Sequence, residues 1–289
     1  MNATVRLLVA GPGLDGELLP EDVGDVLGPV VHTSRMTSDG LFSSVDLPDP
    51  ANVLADTDWA ALEHALGSAA DAPAMLAALL EADQSIRTKA LRYLYGTLHH
   101  GNTLYDATVP TARYVAAILS DPRTTRAVNK EEHAFPGCLR AELLTWIASI
   151  AGEVTDEAEG LYRRTAYPLH DWPPAVAVQG LRPLLFSASV PYTEDADRHV
   201  REAALAACIP LLDDPRSLHH RQPLAPLVRR DLGTSEFWQR RALAVDTLNA
   251  WGEDTSGLER PQDPDLSWAD GCSEEPPFRP GPFRSDLWL

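Results

Sequence analysis

Nine histidines include two adjacent pairs, His99-His100 and His219-His220, and histidine is the side chain most often used to hold a transition metal or pass a proton near neutrality. A helix presents metal ligands four residues apart on one face, whereas neighbours in sequence point about 100° apart, so neither pair makes a metal site by itself. Gly11-Pro12-Gly13-Leu14-Asp15-Gly16 has the GxGxxG spacing and follows the strand-like run Val5 to Ala10. In a dinucleotide site the third glycine opens a helix whose N-terminus holds the pyrophosphate. Here Pro20, Gly24 and Gly28 follow closely and Pro12 lacks an amide donor. The expectation is a Gly-rich turn in a small β-hairpin or irregular cap, with no cofactor. There is no GxSxG and no CxxC, and Cys138 and Cys208 lie in apolar helical stretches where a thiol acts as a small hydrophobe. Carboxylate clusters such as Glu131-Glu132, Asp156-Glu157-Glu159 and Glu194-Asp195-Asp197 fall at expected helix starts or loops, where they complement the helix dipole. No catalytic residue and no metal ligand is assigned, and the chain reads as a non-enzyme.

Two features keep a place in the argument. His99 ends a long apolar helix and leads through Gly101-Asn102-Thr103 to Tyr105; this is either a functional surface, or a helix C-terminus with Gly101 as its left-handed terminator and Tyr105 covering the next element. Arg87, Arg140, Arg201 and Arg241 occupy a recurring position. They read as a structural ladder bonded to loop carbonyls or to acidic residues of the Asp83 and Asp197 type in a neighbouring repeat.

The elements that must position these residues are helices rich in Ala and Leu, separated by short Pro, Gly and Asp punctuation. Asp71 is read as an N-cap with Pro73 in the first turn, and Leu76, Leu79 and Leu80 share one face. Asp83 opens a second helix striped by Ile86, Ala90, Leu94 and Leu98. Asp197, Val200, Arg201, Ala204 and Cys208 repeat the offsets of Asp83, Ile86, Arg87, Ala90 and Leu94, 114 residues later. That separation is three repeats of about 38 residues, a length typical of stacked helix pairs. Arg241, Ala244 and Leu248 supply a further copy, and Leu139, Arg140, Leu143 and Ile147 another at irregular spacing.

Trp59 to Pro73, Leu94 to Thr108 (Leu-Tyr-Gly-Thr-Leu-His-His-Gly-Asn-Thr-Leu-Tyr-Asp-Ala-Thr), Trp146 to Gly152, Val200 to Ala207 and Arg241 to Thr255 together resemble a bacterial family of HEAT-repeat domain proteins, over roughly residues 57–257. The resemblance implies an all-α fold, a HEAT/armadillo-like α-solenoid of antiparallel helix pairs. It implies for function a protein-binding role, since some members resemble immunity partners of secreted toxins. It carries over no catalytic residue. Three regions are expected: an acidic N-terminal cap at 1–56, the solenoid at 57–257, and a Pro- and aromatic-rich extended tail at 258–289.

The chain has 42 carboxylates against 24 basic residues, a formal charge of −18. Nucleic acid and anionic membranes would be repelled, and a basic protein would be steered toward the acidic N-terminal end. Three cysteines at no metal-like spacing and no apolar leader fit a reduced cytoplasm. The expected function is binding of another protein, as an immunity-like inhibitor of a basic effector. An enzyme of lyase type on the same scaffold and a general assembly scaffold are the alternatives. The binding surface is expected on the concave side of the second helices and the loop beside them, with His64, His99, His100, Tyr105 and Trp146 meeting the partner.

Overall fold

The computed structural model describes residues 46–129, 135–164 and 168–259. The Gly11 to Gly16 turn, the cap up to residue 45, the Glu131-Glu132 pair and the tail from residue 260 lie outside them. The chain divides into units at 1–41 and 42–289, and all described residues belong to the second.

Ten α-helices form among the described residues: α1 (Pro50–Asp56), α2 (Ala72–Ala77), α3 (Gln84–Gly96), α4 (Thr108–Ile118), α5 (Leu139–Gly152), α6 (Asp156–Arg164), α7 (Pro173–Ser189), α8 (Arg198–Leu211), α9 (Arg221–Leu227) and α10 (Trp238–Ala250). The fold is thus mostly helical, as expected for an all-α chain. Short polar signals start these helices. The Asp83 carboxylate accepts from the Ser85 and Ile86 amides, that of Asp197 from His199, and that of Asp49 from Ala51 and Asn52, satisfying donors that the helix leaves unpaired. Pro50 and Pro173 open α1 and α7, where a missing N–H costs nothing. Asp71 differs from its expected role: its side chain makes no cap bond to α2 and turns to His64 and Tyr93.

A two-stranded hairpin, β1 (Glu63–His64) and β2 (Gly67–Ser68), pairs Glu63 with Ser68 and His64 with Gly67. It sits inside the stretch expected to be repeat helix. Gly67 has φ +114, which accounts for a glycine at that corner.

The helices arrange by what precedes them. α5 packs most extensively on α8, and α8 on α10, while α4 packs on α7 and α1 on α4. Tyr95 of α3 donates its hydroxyl to the Glu142 carbonyl of α5, which joins α3 to the first row. α1, within residues 50–56, lies against α4.

α5 and α8 are buried on almost every side. Ala141, Thr145 and Ala148 of α5 and the run Glu202 to Cys208 of α8 are all interior. The concave surface expected on the second helices is therefore not an open face at α5: the α4–α5 link, pinned by a bridge between Ala127 and Cys138, brings Phe135 and Pro136 into one cleft with Ala141 and Thr145. The expected Ile86 stripe is also corrected, because Ala90, Leu94 and Leu98 are buried while Ile86 is 44 % exposed.

The four arginines recur in space as in sequence. Arg87 Nη1 donates to the carbonyls of Glu81 and Ala82, Arg201 Nη1 to Asp195 and Ala196, and Arg241 Nη1 to Ser235 and Glu236. Each clasps the turn five and six residues before itself. The same guanidinium groups reach onward, Arg87 to the Ala127 carbonyl at 2.7 Å and Arg201 to Asp231 at 3.3 Å. Arg140, after a longer link, bonds Leu119 and Asp121 carbonyls and lies 3.7 Å from Asp195. The ladder thus uses turn carbonyls, Asp195 and Asp231; Asp83 and Asp197 cap helices instead.

Candidate functional site

The described chain from residue 46 to residue 86 contains Asp46, Asp49, Asp56, Asp58, Glu63, Asp71, Glu81 and Asp83, all exposed, and no lysine or arginine. α1, the hairpin and the start of α2 carry six of these groups, from Asp46 to Asp71, while Glu81 and Asp83 stand at the opposite, N-terminal end of α3. Two backbone bonds fix the hairpin to the neighbouring loop, from the Ala65 amide to the Thr97 carbonyl at the end of α3, and from the Ala107 amide to the Glu63 carbonyl. The 99–106 loop, with exposed His100 and Asp106, is therefore part of the same end.

A small polar cluster anchors it. Asp71 Oδ1 accepts from the Tyr93 hydroxyl at 2.7 Å and faces His64 Nε2 at 3.1 Å. The Leu66 amide donates to His64 Nδ1, so the proton of a neutral His64 is on Nε2. Burial alone would raise the Asp71 carboxyl, but the hydrogen bonds from Tyr93 and His64 outweigh it and hold the group below its ordinary value. Burial and the Asp71 carboxylate push the Tyr93 hydroxyl far up. Asp71 stays ionised, and His64 and Tyr93 tie the hairpin to α3.

Of the five expected contact residues, His99 meets Trp146 while His64 sits in the separate cluster with Asp71 and Tyr93. His64, His99 and Trp146 are interior, at 7 %, 4 % and 0 % exposure; Tyr105 is half-buried and His100 exposed. The His99 ring meets Trp146 edge-on at 6.4 Å and its Nδ1 lies 3.3 Å from the Ser149 hydroxyl. Among the described residues His99 Nε2 and Trp146 Nε1 are buried without hydrogen-bond partners. Burial lowers His99 to about 4, so desolvation overrides the attraction a helix C-terminus has for a charged imidazole. The chain turns away from α3 as the residues dictate: Gly101 and Asn102 take φ +56 and +58, conformations that glycine and asparagine tolerate best.

A second cluster escaped sequence reasoning. Glu142, Glu202 and Arg240, at 2 %, 3 % and 3 % exposure, meet between α5, α8 and α10. Glu202 also accepts from Arg198 Nε and the Ser235 hydroxyl, both at 2.8 Å, and the Arg240 guanidinium lies 4.4 Å from the Phe135 ring centre. Burial brings Arg240 down to about 10, opposed by Glu202, Glu142 and Tyr95. The cleft there holds about 10 Å³, room for roughly one water, so the cluster works as a tie between three helices. Its sequence signal is a charge inside an apolar helix, as in Arg140-Ala-Glu142-Leu-Leu.

Among the described residues no group of three or more His, Cys, Asp or Glu side chains is arranged to hold a metal ion, and no helix is long and apolar enough to cross a membrane. Comparison with models of known families, with curated proteins and with solved structures returns no match.

Proposed function

We propose that this chain is a non-catalytic binding protein, a HEAT-like α-solenoid whose acidic end engages a basic protein, in the manner of an immunity protein that covers its effector. The observation that carries the reading is the run of eight exposed carboxylates without a lysine or arginine between 46 and 86, six of them on α1, the hairpin and the start of α2, where His64 and Tyr93 hold Asp71. Such a surface accelerates encounter with a basic partner and rejects phosphate backbones. The solenoid reading is supported by three arginines that clasp the preceding turn at the same offsets and by helices packed in successive rows.

Coexpression with the product of the adjacent gene, and copurification from the native host, test it. A basic protein should be retained at micromolar concentration and released by salt. Failure to retain any protein at that concentration contradicts the proposal. Because His99 is interior, surface substitutions belong at His100 and Tyr105; His100→Ala with Tyr105→Ala should weaken the complex while leaving the melting temperature unchanged.

A further inference from the structure

Where the acidic end meets α4 and α7 there is an open groove of about 390 Å³, within the range of sites that take a short segment or small ligand. Its walls are apolar and come from two helix starts, Val109 and Pro110 of α4 and Pro173 and Pro174 of α7. Helix N-termini ordinarily offer amide donors to anions. Here the prolines remove several of those donors and present ring carbons instead. The lining holds two charged side chains, Asp106 and Arg113, and one further polar side chain, Thr57, whose hydroxyl already donates to the Val53 carbonyl. The two charged groups are exposed, and among the described residues neither has an ion-pair or side-chain hydrogen-bond partner. Arg113 is thus a guanidinium with no carboxylate partner among the described residues, in contrast to the exposed Arg123, Arg163, Arg216 and Arg230, which are paired with carboxylates.

We propose that this groove docks an extended segment of a partner protein, one that lays apolar side chains on the proline walls, sets a basic side chain against Asp106 and an acidic one against Arg113. The charge pattern of the groove specifies the occupant. Asp106 and Arg113 stand about two helical turns apart, roughly 10 Å at 1.5 Å per residue. A segment in the extended polyproline-II conformation rises about 3.1 Å per residue and returns a side chain to the same face every third residue, so it covers about that length in three residues and the matching segment is a basic residue, two apolar residues and an acidic residue. Proline or leucine suits the middle positions, since the walls offer no hydrogen bonds. The inference rests on the reading of the chain as a binding protein and adds the place and sequence character of one contact.

The test uses the full-length chain with isotope-labelled methyl groups and the probe peptide Ac-Ala-Arg-Leu-Pro-Glu-Ala-NH2. Saturable shifts are expected at the methyls of Val109, Leu62 and Ala177, half complete at about 1 mM, the strength of a small exposed contact. The methyls of Val176, exposed on α7 but outside the groove lining, should not move. Arg113→Glu should weaken the peptide about tenfold, as should replacing its Arg and Glu by Gln. Asp106 and Arg113 are exposed and unpaired, so these variants leave folding untouched, which the unchanged spectrum of the remaining methyls checks. Unmoved groove methyls at 5 mM peptide, or equal shifts with the neutral peptide, would overturn the docking site. Either result leaves the basic-partner reading to its own copurification test, so the two failures are separable.

Discussion

At the scale of single residues, burial decides which groups titrate unusually. His99 lies at about 4 in the folded chain, below its ordinary value of 6.5. The folded state therefore favours the neutral imidazole: this contribution is complete above pH 6.5 and is lost as pH falls from 6.5 toward 4. On that account unfolding by urea becomes easier by on the order of 3 kcal/mol across that window, and His99→Phe removes most of the dependence. An unchanged slope in the variant would show that other groups carry it. Glu153 has the opposite sign. Burial raises it to about 8, so its protonated form is favoured in the fold, fully below pH 4.5, and that advantage disappears as pH rises from 4.5 to 8. Glu153→Gln should raise the melting temperature by a few degrees at pH 8 and hardly at all at pH 4.5, as calorimetry would record.

At the scale of elements, the clasp and the buried tie do different jobs. Arg201 satisfies two carbonyls of the turn before α8 and reaches Asp231, so Arg201→Ala leaves several acceptors without a donor, at a cost of about 2 kcal/mol. Arg163, whose pairing with Glu159 is solvent-exposed, should cost about 0.5 kcal/mol or less when changed to alanine. Arg240→Leu removes a buried charge facing Glu142 and Glu202, and because Glu202 keeps Arg198 and Ser235 the cost expected from urea titration is about 1–3 kcal/mol. The sequence made the clasp partly legible, since the period of Asp83, Arg87 and Ala90 returns at Asp197, Arg201 and Ala204. Of the acceptors it offered, loop carbonyls are used but Asp83 and Asp197 are not, because an aspartate four residues before an arginine serves equally well as a helix cap, and here the cap won. The buried tie was legible only as single charges inside apolar helices: Glu142, Glu202 and Arg240 sit far apart in the chain and only packing of α5, α8 and α10 unites them. The same limit applies to the expected site, where position along the chain could not tell exposed His100 from interior His99 and Trp146.

At the scale of the whole molecule, the central claim is that an acidic end selects a basic protein partner. Composition announced the charge, but the exposure of all eight carboxylates between 46 and 86, and the bracing of the hairpin end by His64, Asp71 and Tyr93, required the folded chain. The most direct measurement is a titration of the copurified basic partner against the chain and against a variant carrying Asp56→Asn, Asp58→Asn, Glu63→Gln and Asp106→Asn, at low and at high salt. The account predicts micromolar or tighter binding at low salt, marked weakening at high salt, and at least about a tenfold loss in the variant with its melting temperature preserved. Affinity that ignores both salt and the four substitutions would contradict it.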